Sequence, residues 1–376
     1  MNSVESIFAA MHDPERSFAD PGTWECAGRV WASGEQQNLI CCRVTQETHD
    51  VKTFEFRVGD GMPVRFEPGQ FMTVSAHVQG QSVERCYTIS SPPTRPYLVS
   101  ITVKRVPGGV MSNWLHEHLH PGAQLRAYGP SGTFTSTAAP ATKSLYLSAG
   151  SGVTPLMSMS RASIDLGLDR DVVFVHSART PADIVFRKEL KRMTEQSPRF
   201  RTFFICEGVG DESDWSGPTG RLSLQQLSNW VPDYAEREVF TCGPAGYMHA
   251  VREILREGAH DPSHYHQESF DISAGVAPEP VRETAPVSQP TFTIRLSRSS
   301  RSFTMNASET VLSAARKAGV AIPSSCSQGV CGTCKTKLLE GSVDMQHNGG
   351  IREREIQKGF RLLCCSRPTS DLTLEL

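Results

Sequence analysis

No run of the roughly 18 to 20 uninterrupted apolar residues that a membrane span requires occurs in this chain of 376 residues, because Lys, Arg, Asp or Glu breaks every long hydrophobic segment. A charged start followed by an apolar core is also missing at the N-terminus. The Ile7 to Met11 patch is short and sits among Glu5, Asp13, Glu15 and Arg16, so no secretory signal is expected. Charge of one sign is scarce too. The 38 Lys+Arg stand against 40 Asp+Glu, a formal −2, which removes any electrostatic reason to expect nucleic acid as the main partner. The histidines form no metal-spaced pair; His116, His118 and His120 alternate near an expected helix end and read as surface residues. These absences leave a soluble, cytoplasmic protein with no membrane partner, long enough for two or three domains.

What the chain does have is cysteine, 11 in all. Disulfides are rare in a reducing compartment, so metal or redox chemistry is the expectation. Cys326, Cys331 and Cys334 read C-x4-C-x2-C, and Cys364 follows after 29 intervening residues, the plant-type spacing for a 2Fe-2S cluster. Three thiolates on one short loop wrap a small cluster only where the backbone approaches closely, and Gly329 and Gly332 remove side chains that would clash. The fourth ligand comes from elsewhere; Cys364 lies in a Leu362-Leu363-Cys364 run suited to a strand. The alternatives are a zinc site or buried thiols. Zinc ligands more often come as two compact pairs.

Around this loop Phe292, Ile294 and Leu296 alternate with Thr and Arg, and Phe303 and Met305 alternate beyond a Ser/Arg turn, which predicts a hairpin with one buried face. A helix is expected next, capped by Asn306 with Glu309 three residues on, faced by Val311, Leu312 and Ala315, and ended at Gly319. This order resembles the α+β β-grasp fold of plant-type ferredoxins, over residues 291–376. In that family the last ligand lies four residues before a Pro or equivalent turn. Pro368 then selects Cys364 over its neighbour Cys365, which is expected to face the other way as a buried small hydrophobe. The segment is basic, with 12 Lys+Arg against 7 Asp+Glu, while residues 1–290 carry 26 against 33. Residues 272–290, with Pro278, Pro280, Pro286 and Pro290, show no period and read as a linker.

Residues 37–137 hold short apolar runs separated by Gly and Pro, the pattern of an antiparallel β-barrel, with residues 1–36 as an N-terminal extension. Within the barrel segment lie Arg85-Cys86-Tyr87-Thr88-Ile89-Ser90, Lys104-Arg105 and Pro107-Gly108-Gly109-Val110-Met111-Ser112. With Phe66-Glu67-Pro68-Gly69-Gln70-Phe71 and Tyr128-Gly129-Pro130-Ser131-Gly132, these resemble the ferredoxin-NADP reductase family, whose barrel binds flavin through Arg-x-Tyr-Ser/Thr. On that resemblance Arg85 forks onto a phosphate, Tyr87 lies along the isoalloxazine and Thr88 bonds its polar edge. The Gly108-Gly109 helix start and Ser112 suit a diphosphate, which favours FAD over the FMN that also occurs in the wider family.

From residue 138 to 271 apolar strands alternate with helices, predicting an α/β parallel-sheet nucleotide domain. Leu145 to Ser148 runs into Ala149-Gly150-Ser151-Gly152-Val153-Thr154-Pro155. Pro155 stands where a G-x-G-x-x-G would have its last Gly, so the fit is to the reductase pattern: Gly150 and Gly152 admit the nucleotide diphosphate, and Thr154 and Pro155 open the next helix. The resemblance places Ser177 and Arg179 at adenosine, Cys242-Gly243-Pro244 at the nicotinamide end, and Glu268 and Phe270 folded back beside the flavin. Arg179 alone, with Asp183 close in sequence, favours NADH over NADPH.

A nicotinamide gives up two electrons together and a 2Fe-2S cluster accepts one, so a flavin between them converts one currency to the other. The whole arrangement, residues 37–376, resembles reductase components of two-component Rieske-type oxygenases, including those that demethylate glycine betaine or stachydrine, and also hybrid-cluster protein reductases. It implies an NAD(P)H-dependent reductase whose partner is a terminal oxygenase or another acceptor protein. A redox-sensing subunit that never turns over is the alternative from another class; bleaching of the flavin by NADH separates the two.

Overall fold

A computed structural model describes residues 29–32, 35–270, 290–299, 301–320, 322, 329, 332, 334–347, 351 and 353–376. The chain divides into two units, residues 1–270 and 271–376. The expected linker falls almost wholly outside the described residues.

The first unit opens with six antiparallel strands, β1 (Glu35–Thr48), β2 (Val51–Val58), β3 (Phe71–Val78), β4 (Gln81–Thr88), β5 (Val99–Lys104) and β6 (Gln124–Ser131), ordered β4-β3-β6-β1-β2-β5. In β2 Phe54, Phe56 and Val58 point inward while Arg57 faces water, the period-2 alternation of a half-buried strand. A bridge between Ile89 and Ile101 curls the two ends of the sheet together. Trp31, read from sequence as part of an extension, belongs to this core: it is fully buried and bridges Val64. Helix α1 (Val110–His118) plugs the barrel through Met111 and Leu115. His116 corrects the surface reading. It is buried and its Nε2 lies 2.9 Å from the Val103 carbonyl; burial, partly offset by that carbonyl, lowers its pKa. His118 and His120 do face solvent.

The second layer is a parallel sheet of β7 (Lys143–Ala149), β8 (Asp171–Ala178), β9 (Phe200–Cys206), β10 (Glu238–Gly243) and β11 (Tyr265–Ser269), ordered β11-β10-β7-β8-β9. Its connecting helices include α2 (Val153–Asp165), α3 (Arg187–Gln196), α4 (Leu224–Trp230) and α5 (Ala245–Glu257). The central strands are apolar on both faces: Leu145 and Leu147 pack in one core cluster and Tyr146 in another, as a sheet covered on both sides demands. At the opposite end of the strands from the candidate site, fully buried Arg237 donates to Asp171, Asp233 and the Ser144 carbonyl. Although burial works against ionisation, Arg237 and Lys143 hold Asp233 down to about 2.

The second unit has a sheet of β12 (Thr291–Leu296), β13 (Arg301–Asn306), β14 (Lys335–Glu340), β16 (Phe360–Leu362) and β18 (Leu372–Leu374), ordered β13-β12-β18-β14-β16, with β15 (Val343–Met345) paired to β17 (Ser366–Pro368). Helix α6 (Val311–Lys317) covers it through Val311, Leu312 and Ala315, and α7 (Glu353–Gln357) follows. The expected hairpin is present in register, Ile294 opposite Phe303. The cap differs. Asn306 is the last residue of β13, and Thr310 Oγ1 takes the Ser313 N–H at 3.3 Å; the turn between strand and helix consumes the residues in between.

Candidate functional site

The parallel sheet begins at β7, runs outward to β9, and returns on the other side with β10. Adjacent strands β7 and β10 therefore diverge in their connections at their carboxyl ends, the place where open α/β sheets bind ligands. Register sets Cys242 opposite Ser148 on β7 and opposite Glu268 on β11. The Gly150–Gly152 turn closes onto this point so tightly that a Cβ on Gly152 would lie 2.2 Å from the Cys242 carbonyl oxygen and 2.6 Å from the Gly243 nitrogen. Gly150 has φ +53, a left-handed conformation that glycine adopts without penalty. Thr154 and Pro155 are buried in the first turn of α2; the Thr154 hydroxyl donates to the Ser151 carbonyl at 3.1 Å and so shapes the turn. Gly152 offers α2 no side-chain cap, leaving the helix start to an anion.

Cys242 is fully buried in the core with Phe240, Val153 and Leu156, so its backbone meets the turn. Gly243 is pressed between Tyr247 and Ala149, and Pro244 precedes α5. Ser177 Oγ, Thr241 Oγ1 and the Tyr247 hydroxyl are buried here, with Ser177 facing Tyr247 and Thr241 facing Tyr265.

On the barrel side Arg85 and Tyr87 share one face of β4 and Cys86 and Thr88 the other. Tyr87 packs half-buried against the barrel core, and burial raises its pKa. Arg85 Nη1 rests on the Glu84 carbonyl at 2.7 Å. Thr88 Oγ1 and Glu268 Oε2 are both buried, and the two side chains face each other. Although other Glu268 atoms reach the surface, that oxygen is shut off from water. Desolvation pushes the carboxyl up to about 8, and Thr88 pulls it partly back. The end of the expected flavin strand, Glu268, Cys242 and the nucleotide turn thus lie in one sequence of neighbours. Phe270 is half-buried beside the core that contains Cys242.

Ser90 and Ile89 stand apart from this. The Ser90 hydroxyl bonds Ser100 Oγ at 3.0 Å and Thr102 Oγ1 at 2.9 Å, fully buried, and Ile89 is core; both side chains close the barrel instead of facing a ligand. At the helix start, Gly108 has φ +71, and a Cβ on Gly109 would press within 2.6 Å of Ser112 Oγ. Ser112 accepts the Val106 N–H at 3.2 Å, Met111 turns into the core and Val110 is exposed. No side chain caps α1, so its first amides and the buried Thr88 hydroxyl fit a flavin and its phosphates.

Between the two layers a cleft of about 410 Å3 is lined by His49, Asp50, Lys104, Arg105, Asn113 and Arg179. Lys104 reaches Asp50 at 3.4 Å. Arg179 is held by Asp183 at 2.8 Å and by Asp50 at 3.5 Å. Asp50 comes from the β1–β2 turn and escaped the sequence reading, because nothing local marks a residue whose partner is more than a hundred positions away.

In the second unit Cys334 and Cys364 are both buried. The Gly329 N–H donates to Cys364 Sγ at 3.1 Å and the Cys364 N–H to Cys334 Sγ at 3.4 Å; backbone donors aimed at sulfur suit a cluster-ligating thiolate. Gly329 and Gly332 have φ +70 and +74. Cys364 lies in the turn between β16 and β17, not on a strand, and this turn lets its amide point at the neighbouring sulfur. Cys365, half-buried, turns its Sγ to the Leu362 carbonyl at 3.5 Å. Cys326 and Cys331 lie outside the described residues.

Three family models match in chain order: an oxidoreductase FAD-binding domain over residues 40–136, an oxidoreductase NAD-binding domain over 146–253, and a 2Fe-2S iron-sulfur cluster binding domain over 294–369. The class is therefore a multi-domain oxidoreductase that joins FAD, a nicotinamide nucleotide and a 2Fe-2S centre. The chain belongs to the family of oxygenase reductase subunits with these three domains, which transfer electrons to a separate component. It is 44% identical to the glycine betaine monooxygenase reductase subunit of Chromohalobacter salexigens, over 96% of this chain and 99% of that one. It is 39% identical to the stachydrine N-demethylase reductase subunit of Rhizobium meliloti, over 92% and 97%. The solved structure of phthalate dioxygenase reductase, a modular structure for electron transfer from pyridine nucleotides to [2Fe-2S], is 27% identical with a TM-score of 0.57, over 91% and 98%. No helix of the described residues is long and apolar enough to cross a membrane.

Proposed function

We propose that this chain takes electrons from NADH and delivers them singly to a Rieske-type monooxygenase that demethylates a quaternary amine such as glycine betaine, in the cytoplasm. The observation that carries the electron path is the register placing Glu268 beside Cys242 at the strand switch point while its carboxyl faces Thr88. The acceptor is assigned from the relatives, matched over nearly their whole length. Bound FAD supplies the conversion between a two-electron donor and a one-electron acceptor. The protein's own residues hold and orient. Arg85 and the first turn of α1 bind phosphate, the Gly150–Pro155 turn receives the nucleotide diphosphate, and Cys326, Cys331, Cys334 and Cys364 hold the cluster. The decisive assay supplies NADH, this reductase, the oxygenase component and glycine betaine, and measures formaldehyde. Release dependent on all four supports the assignment; reduction of the oxygenase without product from any quaternary amine overturns it.

Glu268 carries a pH prediction. Its pKa is raised, so the carboxyl is neutral below about 8 and ionises above it. A new negative charge next to a cofactor that is gaining electrons opposes that gain. Flavin reduction by NADH should therefore slow as pH rises through about 8, and Glu268→Gln, neutral throughout, should remove that limb in stopped-flow bleaching.

NADH preference rests on Asp183 and Asp50, which engage the Arg179 guanidinium that a 2′-phosphate would otherwise draw on. Asp50→Ser should raise kcat/KM for NADPH by about 5- to 10-fold, the worth of removing one nearby like charge at the surface, with little change for NADH. The basic second unit suits an acidic docking patch, so electron delivery to the oxygenase should fall several-fold between about 50 and about 200 mM salt, whereas NADH reduction of the flavin should not.

A further inference from the structure

Helix α2 starts at the nucleotide turn, and one of its faces is tied to the barrel segment that directly follows Arg85–Ser90. Positions 158, 161 and 165 share that face. Ser158 Oγ donates to the Ser91 carbonyl at 2.7 Å, fully buried. Arg161 Nη1 donates to the Ser90 carbonyl at 2.6 Å. Asp165 accepts from Thr94 Oγ1 and from Arg95 Nη2 at 2.7 Å. Arg161 is the most constrained of the three. Its side chain is 11% exposed, its Nε and Nη2 grip Glu189 at 2.8 and 2.6 Å, and its guanidinium lies 4.7 Å over the Phe186 ring. Phe186 itself is buried with φ +59, a conformation that β-carbon-bearing residues avoid unless surroundings enforce it. A planar fork held by a bidentate carboxylate has one orientation left. Its Nη1 donor therefore fixes where the Ser90 carbonyl sits relative to the helix.

We propose that Arg161 is a positioning residue for electron transfer from nucleotide to flavin: it locks the end of the flavin-binding segment to the helix that begins at the nucleotide turn, and so sets the register of donor and acceptor. This rests on the assignment of Arg85–Thr88 to the flavin and of Gly150–Pro155 to the nucleotide. The helix turns two sites from separate layers into one rigid spacing. Reaction rate depends steeply on such spacing, whereas each ligand still finds its own binding groups intact.

The test uses the full-length holoprotein and the Arg161→Gln, Arg161→Lys, Ser158→Ala and Asp233→Asn variants. Arg161→Gln should raise amide hydrogen exchange across residues 89–95. It should also lower the limiting rate of flavin bleaching at saturating NADH by about 10- to 100-fold, with the NADH dissociation constant within about 3-fold of wild type. Arg161→Lys, which reaches one partner but not both, should fall between. Ser158→Ala removes one link without a buried charge and keeps the idea testable if Arg161→Gln fails to fold; it should slow bleaching more mildly, again with binding preserved. Asp233→Asn loosens the far end of the sheet and should lower thermal stability without slowing bleaching. A normal limiting rate despite faster exchange, a loss confined to NADH affinity, or equal slowing by Asp233→Asn would each overturn the proposal. Wild-type protein that holds flavin yet is not bleached by NADH would instead sink the underlying cofactor assignment.

Discussion

Replacing Cys364 with Ser should leave NADH reduction of the flavin within about 2-fold of wild type while cutting electron delivery to the oxygenase by more than about 100-fold, beyond the losses seen when only a supporting group around a metal is removed. The reason lies in the geometry of the distal turn. Cys364 Sγ receives the Gly329 N–H, and its own amide donates to Cys334 Sγ, so as a ligand the residue would offer both a soft sulfur and a donor to a second one. Serine keeps the amide but presents a harder oxygen that iron–sulfur centres bind poorly. The visible and EPR signals of the cluster should disappear from Cys364→Ser and persist in Cys365→Ser, whose sulfur turns to the Leu362 carbonyl. The reverse pattern would show that the two adjacent cysteines had been assigned the wrong way round.

Gly152→Ala should be as damaging on the donor side. The added carbon would meet the Cys242 carbonyl oxygen at 2.2 Å and carbon at 2.4 Å. Both are backbone at the end of a central strand and have no side-chain freedom with which to move aside. The cost should exceed about 3 kcal/mol, the upper end of ordinary overpacking, and relief requires prising the turn away from β10. Flavin bleaching by NADH should drop by more than about 100-fold while the barrel retains its yellow cofactor. Gly150→Ala separates contact from conformation. No atom lies within 4 Å of its added carbon, so only the left-handed backbone is strained, at about 1 kcal/mol, and a modest loss is expected. Similar losses for both variants would mean that backbone conformation, not the approach to Cys242, governs the turn.

Much of this was legible because it depends on short-range chemistry. The alternation of Phe292, Ile294 and Leu296 specifies a strand with one wet face, and the spacing of the cysteines around Gly329 and Gly332 marks a loop that leaves out side chains. Errors came where a residue's role depends on a distant segment. His116 looks like its exposed neighbours in sequence, yet the helix turns it onto the Val103 carbonyl. The Ser90 hydroxyl is taken up by Ser100 and Thr102 only once β5 lies beside it. Trp31 lies ahead of the first barrel strand but is drawn into the core by its bridge to Val64.

By itself the sequence determined the kinds of chemistry available: a cysteine spacing fitted to a two-iron centre, a glycine pair suited to close backbone approach in each of two places, and a flavin, a nucleotide and an iron-sulfur module in one chain. Those properties are local, set by backbone freedom and ligand type over a few residues. Only the tertiary structure decided which groups meet. Strand order brings Gly152 against Cys242 and Glu268 toward Thr88, and one helix face binds Ser90 and Ser91. Such meetings depend on register and packing between segments tens to hundreds of residues apart, and no pattern within either segment encodes its distant partner.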